Sequence, residues 1–177
     1  MGFDLSGILK QYIGGGSAQP TGNPADHFHD VAQNAPPQVV RDGLSEAFRS
    51  DQTPPFGQMV GDLFRQANPQ QQAGMLNQLL GSLNPAVLSS LAASAGLGGV
   101  LGQRPGATAP TVTAENAAQL TPQQVQEVAS KAAQHDPTII DKMSDFYAQH
   151  PGLVKTLGSA ALTIALAKIA NGMQRRT

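Results

Sequence analysis

Six doublets constrain this chain more than any other feature: Asn23-Pro24, Thr53-Pro54, Asn68-Pro69, Asn84-Pro85, Thr121-Pro122 and Asp136-Pro137. In each, a residue that caps helices stands directly before a proline. The capping side chain accepts a hydrogen bond from an early backbone N–H. Proline at the first helical position gives up a donor that would have no partner there. It also pushes the preceding residue into the extended geometry of an N-cap. The doublets therefore predict helix starts, each of which ends the helix before it. His150-Pro151 has the proline without a good capping side chain.

Between these marks the apolar spacing is helical. Phe56, Met59, Val60, Leu63 and Phe64 recur at i, i+3, i+4, i+7 and i+8, as do Met75, Leu76, Leu79, Leu80 and Leu83. Val40, Leu44, Ala47 and Phe48 form a third stripe, Ile139, Ile140, Met143, Phe146 and Tyr147 a fourth, and Val125, Val128 and Ala132 a weaker fifth. No stretch alternates with the period of two that marks a strand. The reading is all-α: a short-helix bundle with Asx/Thr-Pro helix starts. Pro-Gln-Gln at 69–71 and 122–124 invites a repeat. The other side chains do not repeat, and a bundle of similar helices is the simpler account.

Two segments depart from this pattern. GGGSAQPTG at 14–22 reads as a flexible N-terminal linker. Residues 96–119 are rich in Gly, Pro and Ala without helical period, which suggests a connection between modules. The expected organisation is a loose helix and linker over 1–22, a helical core over 23–95, a linker over 96–119 and a three-helix module over 120–177. Much of the apolar content is alanine and Trp is absent, so the core is thin and helices must approach closely.

The most apolar segment is GLVKTLGSAALTIALAKIANGMQRR. Its uncharged run between Lys155 and Lys168 falls short of the about 20 residues of a bilayer span. Leu157, Leu162, Ile164, Leu166 and Ile169 spread around the helix, which predicts a buried central helix. Ile139, Ile140, Met143 and Phe146 would pack on it, and Gly158, Ser159, Ala160 and Ala161 would permit close approach. The alternative is a peripheral membrane or envelope-associated protein that uses this helix and its basic tail. The start MGFDLSGILKQYI has no basic region of a secretory signal and reads as an amphipathic helix with Leu5, Ile8, Leu9, Tyr12 and Ile13 on one face. Gly2 and Ser6 also fit the loose myristoylation pattern.

Net charge of −1 gives no footprint for nucleic acid. Acids outnumber bases over 1–95 and bases outnumber acids over 121–177, with none of the former after Asp145. The absence of cysteine removes disulfides and thiolate chemistry and suits a reducing compartment.

DHFHD at 26–30 is the densest titratable cluster. A helical metal pair needs ligands at i and i+4, which its two histidines do not provide. A mixed site from Asp26, His27 and Asp30 is the alternative to a solvated face opposite Phe28 and Val31. Glu46, Asp51, Asp62 and Asp145 have no spacing that marks an acid–base pair, and no nucleophile motif or phosphate loop is present. No catalytic residue, cofactor or metal site is expected. The polar corner RSDQTPPFGQM at 49–59 is a candidate recognition edge through Arg49, Asp51 and Gln52. Lys168, Arg175 and Arg176 are the candidate contacts of the basic end.

AFRSDQTPPFGQMVGDLF and NPQQQAGMLNQLLGSL resemble a family of uncharacterised small helical bacterial proteins, and MGFDLSGILKQYIGGG is similar to the start of the YidB-like group. The resemblance implies a bacterial, helical, cytoplasmic protein and carries no activity or catalytic residues with it. The expected function is non-enzymatic protein–protein interaction, with a partner's helix or a like subunit held in an apolar groove between helices.

Overall fold

The computed structural model describes residues 5–13, 22–99 and 111–175, with the side chains of Leu5 and Ser6 outside that description. The described residues form eleven α-helices and one 3₁₀ turn, with no strand. In order these are α1 (Leu5–Ile13), α2 (Pro24–Asn34), α3 (Pro37–Arg49), α4 (Phe56–Gln66), α5 (Pro69–Gly81) and α6 (Pro85–Ser94). Then come η1 (Leu97–Gly99), α7 (Ala114–Ala117), α8 (Pro122–His135), α9 (Ile139–Gln149), α10 (Pro151–Val154) and α11 (Ser159–Gln174). The protein is an all-α bundle of short helices.

Four of the six doublets open helices as expected. The side chains of Asn23, Asn68, Asn84 and Thr121 accept from the backbone N–H groups of Ala25, Gln71, Val87 and Gln124. At Asn68 and Thr121 the bond is reciprocal: the Gln71 and Gln124 side-chain oxygens accept from the cap's own N–H at 3.1 and 2.9 Å. The recurrence of Pro-Gln-Gln is thus a capping box used twice.

The other two doublets differ. Thr53 donates its hydroxyl to the carbonyls of Ala47 and Ser50, at 2.7 and 2.9 Å, and so closes α3. Pro55 keeps Pro54 out of helical geometry, and α4 begins at Phe56. Asp136 makes a turn ahead of α9, where its Oδ1 accepts from the Thr138 hydroxyl and N–H at 2.6 and 3.0 Å. His150 has no capping bond to α10; its Nδ1 pairs with the Phe146 carbonyl at 2.8 Å.

The chain divides into two compact units, residues 1–54 with 144–177 and residues 55–143, with the boundary inside α9. Each combines helices from both sides of 96–119. This differs from the order that composition suggests, because linker composition marks where the chain is irregular and not which helices pair.

In the first unit α11 lies along α3 and also meets α1 and α2. Its buried residues are Ala161, Leu162, Ala165, Leu166, Ile169 and Ala170, while Thr163, Lys168 and Asn171 are exposed. The helix is central, yet it buries a stripe rather than its whole circumference. Gly158, Ser159 and Ala160 are exposed. The close approach comes instead at Gly43 of α3, where a Cβ would lie 2.6 Å from Ile169 Cγ1 and 2.7 Å from the Ala165 carbonyl. α1 is docked and not loose: Leu9 and Tyr12 are buried and the helix packs on α11. The expected linker over 14–22 lies, except for Gly22, outside the described residues.

In the second unit α4 packs on α8. A Cβ on Gly57 would fall on the Ser130 hydroxyl and within 2.7 Å of the Gln126 carbonyl; one on Gly61 would lie 2.9 Å from the Pro122 carbonyl. Beyond the undescribed residues 100–110, the segment that composition reads as linker is anchored. Val112 is buried, and its N–H and C=O bond the Asn77 amide at 2.8 and 3.1 Å. Thr113 then caps α7, which packs on α5.

Two predictions follow from this packing and capping. Gly57→Ala and Gly43→Ala will each destabilise the fold by about 1–3 kcal/mol, the usual cost of overpacking, read by urea denaturation. Adding Ser130→Ala to Gly57→Ala will recover only part, since the Gln126 carbonyl remains. The second concerns pH. The Thr138 hydroxyl and N–H, with Lys142 nearby, hold the Asp136 carboxyl below its ordinary range. A carboxyl lowered on folding stabilises the fold above its unfolded pKa, and that contribution is lost as pH falls through the folded value. Thr138→Val will therefore lower the melting temperature at pH 7, and the difference from wild type will shrink below about pH 4.

Candidate functional site

The charged residues singled out from the sequence are largely engaged within their own unit. Arg49 ends α3 and donates to the Ser45 hydroxyl at 2.9 Å. Asp51 and Gln52 are exposed in the corner after it, with the Gln52 N–H on the Ser50 hydroxyl at 3.2 Å. Lys168 of α11 meets Glu46 of α3 at 3.0 Å. Arg175 is exposed at the end of α11, and Arg176 lies outside the described residues. Lys168 and Glu46 are brought together; the candidates do not otherwise converge on one site.

The 26–30 cluster also disperses. Asp26 is exposed, 3.9 Å from the Lys155 ammonium. His27 Nδ1 shares a hydrogen bond of 2.8 Å with the Tyr12 hydroxyl, and its ring lies over Gly22, whose φ of +138° suits glycine. His29 pairs with Gln33 on the same helix at 2.7 Å, and Phe28 and Val31 are fully buried. No group of three or more metal-ligating side chains forms among the described residues. Of the other carboxylates, Glu46 faces Lys168, Asp62 faces Arg65 and Asp145 faces Arg41.

One groove lies on the second unit. It runs along α4 and α8 with a volume of about 250 Å³. Gln58, Asp62 and Arg65 line it from α4, Gln123 and Gln126 from α8, with Gly61 and Pro122 between. Its lining mixes amide and ion-pair groups with the apolar surface of Gly61, Pro122 and side-chain stems, and so differs from the purely apolar groove expected for a partner helix. Gln58 is the residue of the 49–59 corner that lines it.

The surface that stands apart is α6. Its sequence, PAVLSSLAAS, is on average as apolar as that of α11, and its three serines, Ser89, Ser90 and Ser94, lie on the outer side. Here Leu91 alone is buried. Val87, Leu88 and Ala92 are half-buried. Ala86, Ser89, Ser90, Ala93 and Ser94 are exposed and, at i, i+3, i+4, i+7 and i+8, share one face. The Ser89 hydroxyl donates to the Pro85 carbonyl of its own helix at 2.9 Å, which leaves less polar surface outward. The chain contains no charged residue between Arg65 and Arg104, so α5, α6 and η1 carry none. Depletion of charge is the compositional mark of an interface core.

Comparison of the chain with protein-family models, curated proteins and solved structures finds no match. The α6 face escaped a reading of the sequence that looked for charged and titratable groups; the uncharged run was the feature that marks it.

The deepest titratable group is Tyr147, in the first unit. It is fully buried against Phe48 and Phe146, at ring separations of 5.8 and 5.6 Å. Its hydroxyl has no hydrogen-bond partner among the described residues, and burial pushes its pKa well above the ordinary tyrosine value. An unpaired buried hydroxyl is a cost to the fold. Tyr147→Phe will raise stability by about 1 kcal/mol, measured by thermal or urea unfolding; a loss of similar size would reveal a hidden partner for the hydroxyl.

Proposed function

We propose that this protein is a non-enzymatic helical interaction module, with the uncharged outer face of α6 as its binding surface. The observation that carries the reading is the mismatch between the composition and the burial of α6. The helix carries no charge and includes Val87, Leu88 and Leu91, yet Leu91 alone is buried. The outward face is uncharged and small, Ala86, Ser89, Ser90, Ala93 and Ser94 with the half-buried Val87 and Leu88 at its flanks, and such a face lets a protein partner approach closely. A bacterial cytoplasm, the setting implied by the resemblance, belongs to the same proposal. Among the described residues no helix is long and apolar enough to cross a membrane. The apolar stripe of α11, the basis of the membrane-associated alternative, lies against α3 and its neighbours.

Site-specific photocrosslinking in the producing cell tests this reading. A photoreactive residue at Ser90 will give a discrete protein adduct, and one at the exposed Gln134 of α8 will not. Addition of Leu88→Asp will weaken the Ser90 adduct. No adduct at Ser90, or equal adducts at both positions, would overturn the proposal.

A further inference from the structure

We infer that α5 carries a peptide-binding site centred on Asn77, which this chain fills with its own residues 111–113 and which takes an extended peptide with a valine-sized apolar anchor. Asn77 lies in the middle of α5, where asparagine is a poor helix former. Its side-chain amide carries the same donor and acceptor as a peptide unit. Both are used on one residue: the Val112 N–H donates to Asn77 Oδ1 at 2.8 Å, and Asn77 Nδ2 donates to the Val112 carbonyl at 3.1 Å. That exchange is the bonding pattern of a neighbouring strand. The two residues lie 35 positions apart, so the contact is not local turn chemistry.

The segment is held as a bound peptide is held. Thr111 and Thr113 are exposed on either side of Val112, which is buried. This is the out-in-out alternation of an extended segment, and Thr113 has extended backbone to match. The amide of Asn77 reads main chain alone, which every residue but proline offers in full. The buried position reads a single side chain. Peptides that add to a strand are recognised in this divided way, with main-chain bonds for affinity and a side-chain pocket for specificity. On α5 itself, Ala73 and Leu80 stand one turn to either side of Asn77 on the same face and are buried. Because the occupant belongs to the same chain, a free peptide competes with a local concentration on the order of millimolar. The site therefore admits another peptide only when 111–113 is withdrawn or outcompeted. None of these residues belongs to the α6 face, so the Ser90 crosslinking result does not bear on this site.

The test empties the site and offers it a peptide. Val112→Asp in the full chain removes the anchor, with Val112→Gly as the second variant if the aspartate lowers helical content by circular dichroism. The probe is a capped hexapeptide, Ala-Pro-Thr-Val-Thr-Ala, the sequence of residues 109–114. By NMR it will shift the Asn77 side-chain amide and nearby α5 resonances of the emptied chain, and it will bind at least about tenfold more tightly than to wild type, whose own segment competes. The same peptide with Asp in place of Val will not bind. Asn77→Leu, which keeps the size of the side chain, will abolish binding to the emptied chain. A folded, emptied chain that ignores the peptide would show that Asn77 only fastens a connection, and would overturn the inference. Equal binding of the two peptides, or binding that survives Asn77→Leu, would do the same. If neither Val112 variant folds, wild type with the peptide at about 10 mM, above the local concentration of its own segment, will show the same Asn77 shifts; unchanged resonances there overturn the inference too.

Discussion

The closest constraint in this fold is the approach of helices over glycine. α3 meets α11 where Gly43 lies beneath the Ala165 carbonyl and Ile169, and α4 meets α8 where Gly57 and Gly61 face the Gln126 and Pro122 carbonyls. The fully buried set is rich in alanine, with Ala47, Ala129, Ala132 and Ala165 among it. Small side chains bury little area each. They compensate by letting backbones come near, so that more atoms lie at contact distance. Such contacts tolerate little growth, because at each glycine the opposing atoms include a backbone carbonyl that cannot rotate away.

The helices themselves were readable from local chemistry. A capping side chain before proline is an interaction within four residues, and Asn23, Asn68, Asn84 and Thr121 perform it as expected. Thr53 and His150 show why the rule is incomplete. Both direct their side chains to carbonyls of the preceding helix, and those acceptors lie three to six residues back. A polar residue at a corner has two helix ends to serve, and sequence alone does not say which wins. The second proline at Pro55 was the available clue at Thr53.

Pairing was far less readable. The bond between Lys168 and Glu46 spans 122 positions, and bringing such segments together carries a chain-closure cost that only specific packing repays. What selects α11 as the partner of α3 is the fit of Ile169 and Ala165 to the missing Cβ of Gly43. Apolar periodicity shows which face of a helix is buried and is silent about which helix covers it. The same limit made 96–119 look like a spacer. Its composition is irregular, yet one amide at Asn77 holds Val112 by both backbone groups.

The candidate site was hidden for a different reason. Arg49, Asp51, Gln52, Lys168 and Arg175 drew notice because charge and polarity are conspicuous, whereas the mark of α6 is the lack of charge. An exposed helix without charge is a hazard, since large apolar patches promote association with any sticky surface. Here the hazard is limited by size: the outermost residues are Ala86, Ser89, Ser90, Ala93 and Ser94, and the larger Val87 and Leu88 are half-covered. A face of leucines in the same place would bind indiscriminately, and a face of lysines would repel its own copy. Small neutral residues lie between these extremes. They leave room for close backbone approach, which is the same physical condition that joins α3 to α11 and α4 to α8.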